Sequence, residues 1–264
     1  MSLDTAAVLS VFDAQVRRGL HPDDGSGIVG ERAGPVVRWA AAGGAGWSGI
    51  TWSDLDADTA DEVIADQVRF FASRGEGFEW KHYSYDQPAD LEERLLAAGF
   101  VPEEPESLMV ADAAEVAGSA AAGTSLPDGI RLVRVTDEVG LDLITEAHDQ
   151  VFGPDPRLRA ALTAQLGNPG TVMVVAMAGG QPVCSARAEF GADTDFAGLW
   201  GGGTLPEWRG RGIYRALVGY RARLAVARGY RYLQVDASPQ SRPILERLGF
   251  ACLARTTPYV WSPC

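Results

Sequence analysis

Apolar residues recur in this chain either at helical spacing or in alternating and continuous runs, which predicts an α/β fold (α+β in some schemes). Val8, Phe12 and Val16 share one side of a helix, whereas 171–177 is an unbroken apolar run typical of a strand buried on both faces. Helical spacing predicts helices at 5–18, 59–74, 89–98, 157–166, 212–228 and 241–248, and one after Asp137. The remaining apolar runs predict strands at 36–40, 49–52, 78–83, 130–135, 171–177, 182–190, 196–200 and 230–236.

The order of these elements repeats along the chain. In the first half a helix, a glycine, a strand and a second helix ending in Gly-Phe follow one another, and the second half has the same order. This repetition predicts two copies of one fold. Coincidence is the alternative, because helix, glycine and strand often follow one another. The corresponding pieces are 59–74, Gly75, 78–83, 89–98 and Phe100 in one half, and 212–228, Gly229, 230–236, 241–248 and Phe250 in the other.

Between the two copies, 111–125 is rich in alanine, glycine and serine and holds almost no bulky apolar residue. This composition is typical of a linker. The sequence therefore predicts two domains, 1–125 with the linker at its end and 126–264.

A glycine- and arginine-rich stretch, 201–212, stands between the strand at 196–200 and the helix that begins near Ile213. The first amides of a helix have no intrahelical partner, and the helix dipole adds partial positive charge there. Glycines at 210 and 212 allow the backbone to approach a ligand, so the stretch indicates a phosphate site. The alternative is a solvated structural turn. Residue 215 is arginine, which excludes the Rossmann fingerprint, and no Gly-Lys-Ser/Thr follows, which excludes a P-loop.

Two motifs resemble those of the GNAT superfamily of N-acetyltransferases. The first comprises Pro206-Glu207, Arg209 and Gly212, followed by Arg-Ala-Leu at 215–217, and the second is the Leu-Gly-Phe of 248–250. The resemblance spans about 130–261. It implies two tandem GNAT-like acyl-CoA N-acyltransferase domains, each a mixed central sheet flanked by helices. It further implies transfer of acetyl from acetyl-CoA to a primary amine of a small molecule, by direct attack in a ternary complex.

The resemblance also assigns roles to individual residues. Two positions depart from the family pattern, since Tyr214 replaces the usual glycine or alanine and Leu245 replaces a tyrosine that protonates the leaving thiolate. The first copy has three aspartates within 53–58 where the loop should be, and these would repel a pyrophosphate, so we expect this copy to be degenerate. Implied cofactor contacts are the backbone of Gly203, Thr204 and Leu205 with pantetheine and acetyl, and the amides of Arg209, Gly210, Arg211, Gly212, Ile213 and Tyr214 with the pyrophosphate.

An attacking alkylammonium must lose a proton, which a carboxylate can accept. Glu189, on the strand facing 196–200, is the first candidate base, and Asp236 is the second. Ordinary surface carboxylates are the alternative at both positions. The proton for the thiolate could come from Ser238, Tyr259, water or no group at all. No nucleophilic triad is indicated, because His148 lies in a helical pattern that favours a packing role.

Charge and cysteine content restrict the partners. Residues 1–125 hold 22 acidic and 8 basic side chains, whereas 126–264 hold 13 and 15, so the half with the phosphate site is the basic one. The acidic first half argues against nucleic acid. No apolar run reaches 18 residues, no signal peptide is visible, and the three cysteines have no paired spacing, which together predict a cytoplasmic protein without a metal site. The oligomeric state stays open between monomer and homodimer.

Two other functions remain compatible with the sequence. The missing tyrosine and the degenerate first copy would suit a non-catalytic CoA-binding or regulatory protein. If the glycine–arginine loop were purely structural, the chain would be an interaction scaffold that binds no CoA.

Overall fold

The computed structural model describes residues 3–20, 27–41, 46–119 and 126–263, which form two compact units. The N-terminal unit comprises the described parts of Thr5–Leu108, with Asp236–Pro239 and Cys252–Cys264. The C-terminal unit comprises the described parts of Met1–Asp4 and Met109–Val235, with Gln240–Ala251. The two compact units therefore do not divide at a single point of the chain, because each includes short segments from the other side of residue 125. The domain boundary at 125/126 stays a prediction.

Helices and strands alternate along most of the chain, as the apolar pattern predicts. The helices are α1 (Thr5–Phe12), α2 (Ala60–Ser73), α3 (Leu91–Ala97), α4 (Ala113–Gly118), α5 (Glu138–Phe152), α6 (Leu158–Ala164), α7 (Ile213–Ala227) and α8 (Arg242–Arg247). The strands are β1 (Ile28–Ala33), β2 (Val36–Ala41), β3 (Gly49–Ser53), β4 (Phe78–Tyr83), β5 (Val101–Pro102), β6 (Glu106–Asp112), β7 (Ile130–Arg134), β8 (Thr171–Ala178), β9 (Gln181–Phe190), β10 (Phe196–Thr204), β11 (Tyr232–Ala237) and β12 (Ala251–Trp261). None of the helices in the described ranges is long and apolar enough to cross a membrane.

The N-terminal unit is built on strands in the order β1-β2-β3-β4-β12. Strands β3 and β4 pair in parallel, and β12 runs antiparallel to β4 with Thr256 opposite Tyr83. The pairs β1–β2 and β2–β3 are antiparallel. Phe71 of α2 stacks on Phe78 of β4 with ring centroids 4.2 Å apart. Aromatic and aliphatic side chains of the sheet and of α2 and α3 thus form one core.

The helix predicted at 5–18 begins as α1 and changes to a π-helical turn at Asp13–Arg17. Arg17 is buried and forms a bidentate ion pair with Asp86, at 2.9 and 3.0 Å. Its guanidinium also lies 3.7 Å from the centre of the Tyr83 ring and donates to the carbonyl of Thr51 at 3.0 Å. A buried charge needs such pairing, and these contacts fix the first helix to β3 and to the segment after β4.

The C-terminal unit has strands in the order β11-β10-β9-β8-β7, with the second half of β6 beside β11. Strands β10 and β11 pair in parallel, and β7 to β10 pair antiparallel. The pairing of β10 with β11 covers only 196–198, although β10 continues to Thr204. One edge of β10 is therefore left without a β11 partner beyond Gly198.

The predicted repeat is confirmed at the level of backbone geometry. In each copy both helices end at a glycine with positive φ, 67° and 90° at Gly75 and Gly99, and 86° and 93° at Gly229 and Gly249. The amide of the following phenylalanine returns to a buried leucine carbonyl at 3.1 Å in both copies, from Phe100 to Leu95 and from Phe250 to Leu245.

The interpretation of 111–125 as a linker is wrong for the part up to Gly118. Residues of this stretch complete β6 and form α4, whose first amides donate to the carboxylate of Asp112. Ala113 and Val116 are buried, and α4 packs against α7. Alanine suits both a flexible chain and a closely packed helix, so composition misled here. Residues 120–125 lie outside the described residues.

Candidate functional site

Strand β10, a short 3-10 turn at Pro206–Trp208 and helix α7 form the predicted strand, loop and helix. We call residues 209–214 the glycine–arginine loop. Gly210 and Gly212 have φ of 76° and 85°, a conformation that costs an L-residue with a side chain about 1–2 kcal/mol. The helical bonding of α7 begins with the amide of Ala216 on the carbonyl of Gly212. The amide of Arg209 donates to the carbonyl of Pro206 at 3.2 Å, whereas the described amides of 210–215 precede the first bond of α7 and are free of helical partners, as an anion site requires.

The arginines of the loop are tied to its backbone. Arg209 donates from Nε to the carbonyl of Thr204 at 3.1 Å, and Arg211 donates to the carbonyl of Glu207 at 3.2 Å. Arg215, in the first turn of α7, brings its guanidinium within 3.4 Å of the position that a Cβ at residue 212 would occupy. Arg215 is not among the contacts predicted from the sequence, although its place in the first helical turn is visible there.

Strand β10 has three consecutive glycines, 201–203, near its end. A Cβ at Gly203 would lie 2.7 Å from the side chains of Val151 and Phe152, so only glycine fits beneath α5. The register with β9 shifts between Trp200 and Gly203. Ser185 of β9 donates to the carbonyl of Gly201 at 3.0 Å and holds this irregular stretch in place. The backbone at 201–204 thus has no β11 partner along one edge, whereas β9 and the Ser185 hydroxyl hold the other edge.

Tyr214 does not obstruct the loop. Its ring lies 3.1 Å from the Cβ position of Gly202, underneath β10, and burial raises the pKa of its hydroxyl. Beside it lies Arg221, which is fully buried and donates to the carbonyls of Leu217 and Arg187, both at 3.1 Å. Burial lowers the pKa of Arg221. The side chain of Tyr214, which departs from the family pattern, therefore packs in the interior of the unit.

Glu189 lies on β9 directly opposite Gly198, the last residue of β10 that pairs with β11. Its carboxylate is 2.9 Å from Nε of Arg187 and accepts from Nε2 of Gln165 at 3.4 Å. The side chain is 35% exposed. This first candidate base is thus open to solvent beside the point where β10 and β11 part.

Asp236 belongs to the N-terminal unit rather than to the unit of Glu189. Its carboxylate lies 3.3 Å from Nζ of Lys81, and the same ammonium donates to Glu106 at 2.6 Å. Burial raises the pKa of Asp236, and the charge of Lys81 opposes that rise. A carboxylate already engaged by a buried lysine has less freedom to accept a proton from a ligand.

The possible proton donors also divide between the units. Leu245 is fully buried on α8 in the C-terminal unit and has no proton to donate. Ser238 and Tyr259 belong to the N-terminal unit. Burial, together with the nearby charge of Glu92, raises the pKa of Tyr259 to about 12, so its hydroxyl keeps its proton at neutral pH.

In the N-terminal copy a carboxylate of the protein occupies the start of the equivalent helix. Oδ1 of Asp56 accepts from the amides of Asp58 and Thr59 at 3.0 and 2.9 Å, and from the hydroxyl of Thr59 at 2.7 Å. The hydroxyl and amide of Thr59 lower the pKa of Asp56, which therefore stays ionised. The amides that would face a phosphate in this copy already bind an internal anion.

The tandem fold and the glycine-lined start of α7 agree with the GNAT-like fold that the sequence resemblance implied. Residues 141–250 match the Acetyltransferase (GNAT) family. This part of the chain is thus similar to the GNAT acetyltransferases. Within the described ranges, no group of three or more His, Cys, Asp or Glu side chains could hold a metal ion.

Solved structures extend the likeness over the whole chain. A GCN5-related N-acetyltransferase from Kribbella flavida matches with a TM-score of 0.68 and 17% identity, covering 100% of this chain and 97% of that chain. A functionally unknown conserved protein from Staphylococcus epidermidis matches with a TM-score of 0.69 and 14% identity, covering 96% and 98%. A tandem GNAT protein from the clavulanic acid biosynthesis pathway matches with a TM-score of 0.57 and 10% identity, covering 86% and 78%. These matches show the fold, and no curated protein matches the chain.

Proposed function

We propose that the C-terminal unit binds acetyl-CoA and transfers its acetyl group to a primary amine of a small molecule by direct attack in a ternary complex. The observation that carries this proposal is the glycine–arginine loop, whose free amides follow a strand with one unpaired edge. The N-terminal copy takes no part in CoA binding, because Asp56 already occupies the corresponding helix start.

The cofactor contacts follow from this geometry. Amides of 209–214 hold the pyrophosphate, aided by the helix dipole and by Arg215. The unpaired edge of β10 at 203–205 accepts the pantetheine arm as an added strand would. A backbone amide of the same stretch donates to the thioester carbonyl and stabilises the oxyanion that forms during attack.

Glu189 is the proposed base and Asp236 the second candidate. Glu189 lies in the same unit as the loop and beside the parting of β10 and β11. Its carboxylate is 35% exposed and paired with Arg187, so the ammonium of the acceptor can reach it and pass a proton to it. Leu245 supplies no proton for the thiolate, so Ser238, Tyr259, water and no group at all stay the alternatives for this step.

Calorimetric titration with acetyl-CoA tests the proposal, using the wild type, Arg209→Glu and the control Arg131→Glu. Arg131 is exposed on β7, away from the loop. We expect micromolar binding, roughly −8 kcal/mol, by the wild type and the control. The charge reversal at Arg209 should abolish it, since it opposes the phosphates and breaks the contact with Thr204. Absence of wild-type binding, or full binding by Arg209→Glu, would refute the site.

A second candidate is a CoA-binding protein without catalysis, which the burial of Leu245 favours. It predicts acetyl-CoA binding without release of CoA thiol across a broad panel of amines. Thiol release with any amine of the panel, at a rate that depends on Glu189, would exclude it.

A further inference from the structure

Five polar side chains gather on one face of the sheet in the C-terminal unit, around the proposed base. We call them the acceptor-face cluster. They come from α5, from the segment after α6, from β9 and from β10. Its members are His148, Gln165, Arg187, Glu189 and Trp200.

The strand register places the members on the face covered by α5 and α6. Arg187 pairs with Trp200 and also with Met173, which packs among apolar side chains of α5 and α6. Glu189 is two residues further along β9, so its side chain emerges on the same face. The indole nitrogen of Trp200 reaches back to within 2.6 Å of the Cβ position at Gly198, the residue opposite Glu189. The cluster therefore surrounds the point where β10 leaves β11.

Two polar atoms of this cluster are buried and lack a hydrogen-bond partner, Oε1 of Gln165 and Nε1 of Trp200. Each such atom costs about 1–3 kcal/mol relative to a satisfied one. Nε of Arg187 has the Glu189 carboxylate beside it at 2.9 Å, and Nδ1 of His148 has that of Asp149 at 3.8 Å. Native proteins rarely leave buried polar atoms unsatisfied, so the two atoms beside Glu189 indicate a surface arranged to bind a polar molecule.

The charges of the cluster determine which molecule fits. Nε of Arg187 lies 2.9 Å from Oε1 of Glu189, and the side chains are 22% and 35% exposed. An ammonium that binds Glu189 takes the carboxylate away from Arg187. With a simple amine, the guanidinium would then be left half-buried without an anion. A ligand that carries its own carboxylate gives the guanidinium of Arg187 a new anionic partner.

We propose that the acceptor is a zwitterion, a small molecule with a primary amine and a carboxylate on the same or adjacent carbons, as in an amino acid. This inference rests on the proposed acetyltransferase function. The ammonium binds Glu189, and the carboxylate binds Arg187 and the indole N–H of Trp200. Side chains two residues apart on a strand are separated by roughly 7 Å, and both are long enough to converge on such a compact ligand.

The reaction balances without a further reactant. Glu189, directly or through water, takes one proton from the ammonium, and the amine nitrogen attacks the thioester carbonyl carbon. A carbon–nitrogen bond forms and the carbon–sulfur bond breaks. The nitrogen releases a second proton, the thiolate gains one from its surroundings, and the products are an N-acetylated acid, CoA with a free thiol and one net proton.

Thiol release with matched acceptors tests the inference. Each set contains an amino acid, its carboxamide and the corresponding amine without the carboxylate. We expect the wild type to use the amino acids with kcat/KM at least tenfold above that for their amides and amines. Arg187→Gln should remove this preference, Trp200→Phe should weaken it, and the exposed control Arg131→Gln should preserve it.

The outcomes separate this inference from the proposed function. If acetyl-CoA does not bind in calorimetry, both fail. If acetyl-CoA binds but amides and amines are used as well as the acids, or no carboxylate-bearing amine is acetylated, the zwitterion inference alone is overturned. Thermal unfolding of each variant shows that it is folded. Should Arg187→Gln not fold, Trp200→Phe decides, since an unchanged preference for acids in that variant refutes the assigned contact.

Discussion

Gly212 and Gly229 flank α7 and provide a matched pair of substitutions. Gly212 has φ of 85° at the start of the helix, in the glycine–arginine loop, and Gly229 has φ of 86° just after its end. Alanine at either position is strained to the same degree. We predict that both variants lose stability equally, whereas only Gly212→Ala loses affinity for acetyl-CoA.

The magnitudes follow from the backbone geometry. Left-handed alanine costs about 1–2 kcal/mol, which corresponds to a decrease in Tm of about 2–8 °C for a chain of this size. A Cβ at Gly229 meets nothing within 4 Å, and a Cβ at Gly212 meets only the end of the flexible Arg215 side chain, at 3.4 Å. Steric conflict therefore adds little at either site. Relaxation of the strain at Gly212 turns loop amides away from the phosphates, and the loss of one amide–phosphate hydrogen bond costs about 1.5–3 kcal/mol.

Calorimetric titration with acetyl-CoA and thermal unfolding measure the two effects separately. We expect Kd to rise about 10- to 100-fold in Gly212→Ala and to stay at the wild-type value in Gly229→Ala. Equal Kd values in the two variants, with similar decreases in Tm, would refute the argument that the left-handed turn at Gly212 presents the phosphate-binding amides.

Two further predictions concern the other copy and the pH dependence. Asp56→Ala should lower Tm slightly, because amides at the start of α2 lose their acceptor. Calorimetry of this variant should still give one acetyl-CoA per chain with unchanged Kd. A second bound CoA would contradict the argument that Asp56 takes the place of a phosphate. Burial lowers the pKa of His82 and of His148, so the unfolded chain binds their protons more readily. The stability that they contribute is present above their ordinary pKa of about 6.5 and is lost as the pH falls below it. Urea unfolding from pH 7.5 to 5 should therefore show declining stability, and the decline should be shallower in His82→Gln and His148→Gln; an unchanged slope in both would count against these shifts.

The sequence predicted those features that depend on local chemistry. The start of α7 follows from glycines that permit positive φ and from the apolar stripe through Ile213 and Leu217, both buried. The repeat was visible because each copy needs the same glycine at its helix ends. The degenerate copy was visible because aspartates replace the loop, although the specific role of Asp56 as an internal helix cap required the coordinates.

Long-range arrangements were not predictable in the same way. Nothing in the local pattern of 111–118 distinguishes a linker from a strand end and a packed helix, since alanine serves in both. The acceptor-face cluster combines Arg187 of β9 with Trp200 of β10, and the strand register brings these two together. The ion pair of Asp236 with Lys81, which is 155 positions earlier in the chain, is a long-range contact of the same kind.

The pairing of β12 with β4 determines when the N-terminal unit can finish folding. Thr256 lies opposite Tyr83, so a strand made early must wait for a segment that is synthesised much later. At about 5–20 residues per second, synthesis of the intervening chain takes roughly 9–35 s. During this interval one edge of β4 has no native partner, and an open strand edge is prone to pair with other chains. Nascent copies on neighbouring ribosomes could pair through this open edge. Early protection of the edge, by a chaperone or by slow initiation, would therefore be an advantage to the cell.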